Sequence, residues 1–364
     1  MNDDNNFGKR ICCTLVEGLD FLDSLFHLIR DAISECCDCE CNGGSGSGSG
    51  CPDHTKTICL MRSSAQAIGR GFHRSGWDRV VKALDEIQEP NGILLDDFIE
   101  QNFCYASEPV VYKKPWIGIF HHPSDVPHFS NHNEKLSVVL KSSAFIESAK
   151  HLKMAIALSE DLAVFLRKHL DCKVVTIKHP TFFEFPEWSM GAYKANACKK
   201  LIQIGFYLRN SRLISQIPDV DNHKKVKIIS SQAWTKTYDR RVKKYWKNLG
   251  TRPTYRPYYN MNMVTPRLYD KLLSSNIVVV EYFNVSASNT LLDCVSRNTP
   301  IIVSRNAAVV EYLGPNYPLY FDSPAEIPNL VKRAEEGHLY LKSMNKDDLN
   351  IKHFISSVLE NINE

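Results

Sequence analysis

The 364 residues exceed the length over which a single hydrophobic core usually keeps growing, which points to two domains. With 43% hydrophobic and 23% charged residues the chain has an ordinary globular composition, and no apolar run approaches the ~20 residues of a membrane-spanning helix. A net charge of +3 is too near neutral to argue for a nucleic-acid partner by itself, and the local basic clusters His223 to Lys227 and Arg240 to Lys247 are of a kind usually found on solvated helix faces.

The opening residues are polar and lack the basic start, apolar middle and small-residue cleavage site of a secretory signal, so a cytoplasmic protein is expected. Leu15, Leu19, Leu22, Phe26, Ile29 and Ile33 recur at intervals of three and four, which predicts an amphipathic helix over Thr14 to Ser34. Its polar face carries Glu17, Asp20, Asp23 and Asp31, so the apolar stripe is expected against the protein body, a partner helix or a second copy of the chain. Cys36, Cys37, Cys39, Cys41, Cys51, Cys59 and His54 offer soft ligands that could bind zinc but show no C-x2-C…C-x2-C pair, so reduced thiols are favoured over a metal site and no metal ligand is assigned. The scattered Cys104, Cys172, Cys198 and Cys294 read as small core residues. Residues 43–50, GGSGSGSG, form a flexible linker with the regularity of an engineered insertion and close an N-terminal segment 1–42.

Beyond the linker, Thr57 to Met61 reads as a strand, followed by a glycine-bearing loop that carries Arg70, His73 and Arg74, and by a helix over Asp78 to Ile87. Trp116 to Phe120 is a buried strand stopped by Pro123, which sets His121 and His122 at its carboxyl end, where α/β sheets place their chemistry; Asp125 follows. Helices over Phe145 to Lys153 and Ser159 to His169 flank a strand at Met154 to Leu158, and Val174 to Ile177 is a further strand closed by Lys178-His179-Pro180-Thr181. A boundary near Met190 to Ala197 divides a domain 51–190 from a domain 191–364.

The second domain opens with the strand Lys200 to Ile204, a turn at Gly205, and Arg209; Arg212 is the next basic residue. A strand at Val226 to Ile229 and a helix over Pro266 to Leu273 lead to Ile277 to Phe321, read as strand, helix, strand. The helix, Ser288 to Arg297, has Ser286 or Ser288 as N-cap and opens just beyond a strand end, where free N–H groups can hold a phosphate. Nucleotide binding is the first reading, and an ordinary βαβ unit with a solvated Asp293 is the alternative.

Thr290-Leu291-Leu292-Asp293-Cys294 and Asn298-Thr299-Pro300-Ile301-Ile302 resemble the donor-binding segment of retaining GT-B glycosyltransferases, where a Leu-Leu-Glu-Ala helix precedes a Gly-Thr-Pro-Val-Val strand. His121-His122-Pro123, the later His-Pro-Thr and the turn into Arg209 follow in the family's order over residues 55–330. The resemblance implies an α/β fold of two Rossmann-like domains facing across a cleft, the first for the acceptor and the second for a nucleotide sugar, UDP- or GDP-linked, with the C-terminal helices Ala325 to Glu336 and Ile351 to Asn361 covering the sheets. It implies that Asp293 binds the ribose and that Arg209 neutralises the diphosphate. Arg212 would be the second basic group, with Lys236 or Lys243 as alternatives. Gly205, Ser286, Ser288 and Asn289 would complete the donor site, and His121 or His122 would face the transferred sugar. Arg70, His73 and Arg74 would face the cleft, with Asp125 as base should the reaction invert. No metal and no cofactor are implied, since cationic side chains and a helix dipole stabilise the leaving group. Retention is the family expectation, although Val285 stands where the first Glu of the family's Glu-x7-Glu pair belongs. The acceptor, a glycan, protein or DNA, is not readable. An epimerase, a DNA-base glycosyltransferase and a non-catalytic sugar-nucleotide binder use the same scaffold.

Overall fold

The computed structural model describes residues 57–61, 75–127, 134–229, 232–250, 254–262 and 264–363. The expected Thr14 to Ser34 helix, the early cysteines other than Cys59, His54, the linker, and Arg70, His73 and Arg74 lie outside the described residues, whereas Cys59 is half-buried on the first strand.

Two parallel sheets organise the chain. The first runs β1 (Ile58–Met61), β2 (Ile93–Asp96), β3 (Trp116–Phe120), β4 (Leu152–Ala157) and β5 (Lys173–Thr176), paired in chain order. Parallel neighbours require crossovers, supplied here by helices that include α1 (Trp77–Asp85), α2 (Ser143–Ala149) and α3 (Glu160–Arg167). β3 is buried on both sides, as a sheet between helical layers must be: Trp116 and Phe120 enter one apolar cluster while Ile117 and Ile119 enter the other. Ser142 and Ser159 cap α2 and α3.

The second sheet contains β6 (Lys199–Ile204), β7 (His223–Ile229), β8 (Tyr259–Asn262), β9 (Ile277–Val280), β10 (Ile301–Ser304) and β11 (Tyr320–Phe321), in the order β11-β10-β9-β6-β7-β8. The chain builds outward from β6 to β8, then returns to the other side of β6 as β9, which is the doubly wound order with its reversal between β6 and β9. Its helices include α4 (Gln232–Asn248), α5 (Pro266–Leu273), α6 (Asn289–Arg297), α7 (Ala307–Leu313) and α8 (Ala334–Ser343). α6 ends at Asn298, whose left-handed φ of 55° is a conformation asparagine tolerates, so it serves where the resembled family has glycine.

The expected single helix over Ala325 to Glu336 is instead a short turn at Pro324–Glu326, a helix at Ile327–Val331 and α8, interrupted at Lys332 and Arg333. Cys198 is exposed, whereas Cys294 is buried and Cys104 and Cys172 are half-buried. No helix among the described residues is long and apolar enough to cross a membrane.

The last helix, α9 (Ile351–Asn363), returns to the first sheet. Leu349 is in the second lobe's core, whereas Phe354 and Val358 are wholly buried in a first-lobe cluster with Trp77, Leu84 and Ile119. The two lobe-to-lobe crossings meet at a parallel bridge between Thr181 and Asn350, where the Thr181 N–H donates to the Leu349 carbonyl at 2.7 Å. Phe354→Ala should therefore lower stability by about 3–5 kcal/mol, the cost of a cavity in a closed aromatic site. Chemical denaturation that found a loss below about 1 kcal/mol would mean the helix is not part of that core.

Candidate functional site

A cavity of about 360 Å³ lies between the carboxyl ends of the two sheets. The first lobe contributes Trp77, Phe98, Tyr105, His121, His122 and His179. The second contributes Tyr207, Arg209, Tyr282 and the segment Asn284 to Asn289, at the reversal between β6 and β9 where open α/β sheets bind ligands.

On the second-lobe side, the turn after β6 is lashed to the loop after β9. The Asn210 N–H donates to the Glu281 carbonyl at 2.8 Å, and the Phe283 N–H to the Leu208 carbonyl at 2.9 Å. Gly205 has φ +75°, and a Cβ built there would collide with the Arg209 guanidinium, so glycine lets that side chain fold back over the turn. Arg209 Nη2 then donates to Ser288 Oγ at 3.2 Å, and its Cζ lies 5.5 Å from the Tyr282 ring centre. The Arg209 Nε is buried without a partner. Ser288 is also the N-cap of α6, accepting from the Leu291 N–H at 3.4 Å, and its hydroxyl meets the Tyr282 hydroxyl at 2.5 Å. A guanidinium with an unused N–H and the positive end of a helix dipole thus converge on one hydroxyl, an arrangement suited to an anion.

The opposite wall is held by hydrogen bonds that fix each imidazole. The backbone N–H groups of His121 and His122 donate to Glu100 Oε1 at 2.9 and 2.7 Å. His121 Nε2 donates to the Asp97 carbonyl at 2.9 Å, leaving Nδ1 as acceptor, and burial holds its pKa well below the usual histidine value. His122 Nδ1 donates to the Glu134 carbonyl at 2.9 Å, so its Nε2 accepts from the Tyr105 hydroxyl at 2.9 Å. His179 Nδ1 donates to the Pro180 carbonyl at 2.7 Å, and burial lowers its pKa to about 4. Trp77 stands edge-on between His121 and His179, with ring centres 4.3 and 5.0 Å apart, and its indole N–H donates to Asp97 Oδ2 at 2.8 Å. His121 and His179 are therefore neutral hydrogen-bonding groups near pH 7, suited to hydroxyls rather than to a second anion.

Behind this wall sit three buried carboxyls. Burial raises Asp96 to about 6; burial, aided by the neighbouring Asp96 charge, raises Asp97 to about 7; burial also raises Glu100, whose Oε2 has no hydrogen-bond partner. The lobes touch across the cavity through the Ser286 hydroxyl on the His121 carbonyl, Asn284 Nδ2 on the Asp125 carbonyl at 2.9 Å, and the Tyr207 hydroxyl on Glu134 Oε2 at 3.2 Å.

Of the residues singled out in the sequence, His121, His122, Arg209, Ser286, Ser288 and Asn289 meet in this cavity, and Gly205 shapes it from behind. Arg212 does not line it; its guanidinium lies 4.1 Å from the Tyr255 ring centre. Lys236 and Lys243 are exposed on α4, and Asp125 is exposed and paired with Lys135 at 3.4 Å. The Asp219-Val220-Asp221 triplet has the Asp-x-Asp form of a metal-binding motif, but Asp219 is 85% exposed, pairs with Lys225 at 2.9 Å and does not line the cavity.

Asp293 requires a correction, because it is wholly buried rather than solvated on the helix start. Its carboxylate accepts from the Ser75 N–H at 2.9 Å and the Tyr269 hydroxyl at 2.8 Å, and pairs with Arg297 at 3.4 Å. The cavity lining does not include it. Trp77, Tyr105, Tyr207, Tyr282 and His179 line the cavity without having been singled out as site residues; His179 stood in the flagged His-Pro-Thr strand end, while the aromatics carried no signal beyond adjacency to Arg209 and Val285.

The paired Rossmann-like sheets with a cleft between them are the GT-B fold. No protein-family model and no curated protein matches the sequence. Among solved structures, OtsA in its apo form superposes with TM-score 0.50 at 11% identity, over 79% of this chain and 76% of that one. HepE from Anabaena in complex with UDP and glucose gives 0.51 at 9% identity, over 68% and 71% of the two chains. The trehalose-6-phosphate structure from E. coli bound with UDP-2-fluoro glucose gives 0.51 at 10% identity, over 78% and 76%. Identities this low establish the fold alone.

Two outcomes follow from the buried carboxyls. Asp293→Ala should cost about 3 kcal/mol or more of folding stability, because it breaks a buried ion pair and leaves the Ser75 N–H and Tyr269 hydroxyl without their acceptor. A variant as stable as the parent in urea would show that the carboxylate does not hold these groups together. Asp96 and Asp97 keep protons that the unfolded chain releases near about pH 4, so stability is expected to fall as pH rises from about 4 through about 7. Asp97→Asn retains an oxygen for the Trp77 N–H, and its melting temperature should fall less than the parent's over that window; parallel pH profiles would rule out Asp97 as the titrating group.

Proposed function

We propose that the protein is a glycosyltransferase that moves a sugar from a nucleotide-sugar donor to an acceptor hydroxyl, without a metal ion and with retention at the anomeric carbon. The convergence of the Arg209 guanidinium and the α6 N-terminus on Ser288, at the sheet reversal and inside the inter-lobe cleft, supports this most directly. As the bond between the anomeric carbon and the diphosphate oxygen breaks, negative charge grows on the diphosphate. Pre-oriented cationic and N–H groups stabilise that charge more than they stabilise the bound donor. Arg209, Ser286, Ser288 and Asn289 would hold the diphosphate, His121 and His122 would accept from or donate to sugar hydroxyls, and Gly205 keeps the Arg209 turn compact. UDP is favoured over GDP as the carrier, because UDP or a UDP-sugar occupies two of the similar structures. The donor would belong to the 191–364 half and the acceptor to the 51–190 half of a cytoplasmic enzyme. Asp293 supports the donor side from within the fold, through Ser75 and Tyr269.

Calorimetric titration with UDP-glucose and GDP-linked sugars, followed by a labelled-sugar transfer assay against glycan, protein and DNA acceptors, tests the reading. Interconversion of the free donor would make the protein an epimerase, and binding without turnover a non-catalytic receptor. Arg209→Ala is expected to lower kcat by about 100-fold or more while donor affinity changes less, the signature of charge stabilised in the transition state. An unchanged kcat with a raised KM would reduce Arg209 to a binding residue.

A further inference from the structure

Helix α4 is strongly cationic on its exposed side. Lys236, Arg240, Lys243, Lys244 and Lys247 recur at i, i+4, i+7, i+8 and i+11, which places them on one face of the helix, with Arg241 beside them; all six are exposed. The helix's one carboxylate, Asp239, is turned elsewhere, held by Lys227 at 2.8 and 3.0 Å and by the Ser211 hydroxyl. Among the described residues no carboxylate lies within ion-pair distance of the six cations, and Arg240 donates only to Thr237 Oγ1, at 3.3 Å. Like charges three and four residues apart repel, and a helix needing only solubility would intersperse acids among them. The whole chain carries only +3, so this face is a local excess rather than a reflection of composition.

The other face of α4 is fixed to the cavity. Tyr238 and Val242 are buried, and the Tyr238 hydroxyl accepts from the Leu208 N–H, next to Arg209, at 2.9 Å. Tyr245 and Trp246 contact the Phe283 ring at centre distances of 5.3 and 6.1 Å. Two large apolar side chains are exposed after α4: Leu249 is 56% exposed and Tyr259, on edge strand β8, is 65% exposed, beside Lys224 at 5.9 Å.

We propose that α4 and the segment after it dock the protein on an anionic lipid surface. Phosphates of a lipid headgroup and of a nucleic acid would both attract the cations, but the exposed Leu249 gains only from an acyl boundary. Base stacking would need exposed aromatics among the cations of α4; Tyr245 and Trp246 are instead half-buried against Phe283, and the exposed Tyr259 lies on β8 rather than on the helix. The inference concerns binding alone and does not depend on what the cavity turns over.

The test is co-sedimentation of the full chain with vesicles of phosphatidylcholine, alone or with about 30 mol % phosphatidylserine. Binding is expected only to the anionic vesicles and is expected to be lost in high salt. Lys243→Glu/Lys244→Glu/Lys247→Glu should lower partitioning by about tenfold or more with unchanged thermal unfolding. Leu249→Ser/Tyr259→Ser should lower it severalfold with the charge intact. If the triple reversal unfolds, Lys243→Gln/Lys247→Gln replaces it, with a smaller expected loss. Failure to bind anionic vesicles, or equal binding by the charge variants, overturns the proposal. So does tight binding of a DNA duplex that ignores the Leu249 and Tyr259 changes, which would make the face a nucleic-acid surface.

Discussion

The Ser288 hydroxyl is the point at which the second lobe's architecture becomes a site. It accepts from the Leu291 N–H to start α6, receives a hydrogen bond from Arg209 and meets the Tyr282 hydroxyl. These three groups come from the turn after β6, the loop after β9 and the helix that follows, elements adjacent only because the sheet reverses between those strands. The Arg209 Nε is buried without a hydrogen-bond partner, so this guanidinium is not fully satisfied within the fold.

The opposing wall follows another logic. Its histidines are each locked to a backbone carbonyl, which fixes which nitrogen donates, and burial keeps His121 and His179 uncharged. One side of the cleft is thus built for negative charge and the other for neutral polar groups, a division that suits a ligand with an anionic end and a hydroxyl-rich end. The raised carboxyls of Asp96, Asp97 and Glu100 show that this wall is held at a cost to stability, as is common where polar groups are fixed around a binding site.

Much of the fold was legible because parallel strands buried on both faces read as apolar runs: β3, β9 and β10 are Trp, Ile, Val and Phe apart from Gly118 and the terminal Ser304. β8 was not, because Tyr-Asn-Met-Asn on an exposed edge has no apolar signature, and β11 is only two residues long. In the site, His121, His122 and Arg209 were legible because strand-terminal position limits where a side chain can point. The expectation that Asp293 reaches a bound ribose overlooked its burial, because its partners, Ser75 and Tyr269, lie 218 and 24 residues away and no local pattern reports such a pairing. The aromatic lining was missed for the same reason, since Trp77 reaches the cavity only when α1 packs beneath His121 and His179.

The paired crossings at Thr181 and Asn350 bear on how the protein is made. During synthesis the first lobe emerges whole in its strands but without the helix that seals one of its apolar faces, because Phe354 and Val358 follow the second lobe in the chain. That face, lined by Trp77, Leu84 and Ile119, stays open while the entire second lobe is produced, and it closes only once α9 has followed. The N-terminal lobe is therefore the last to be completed, and its sealing is a contact of very high sequence separation, the slowest kind to form.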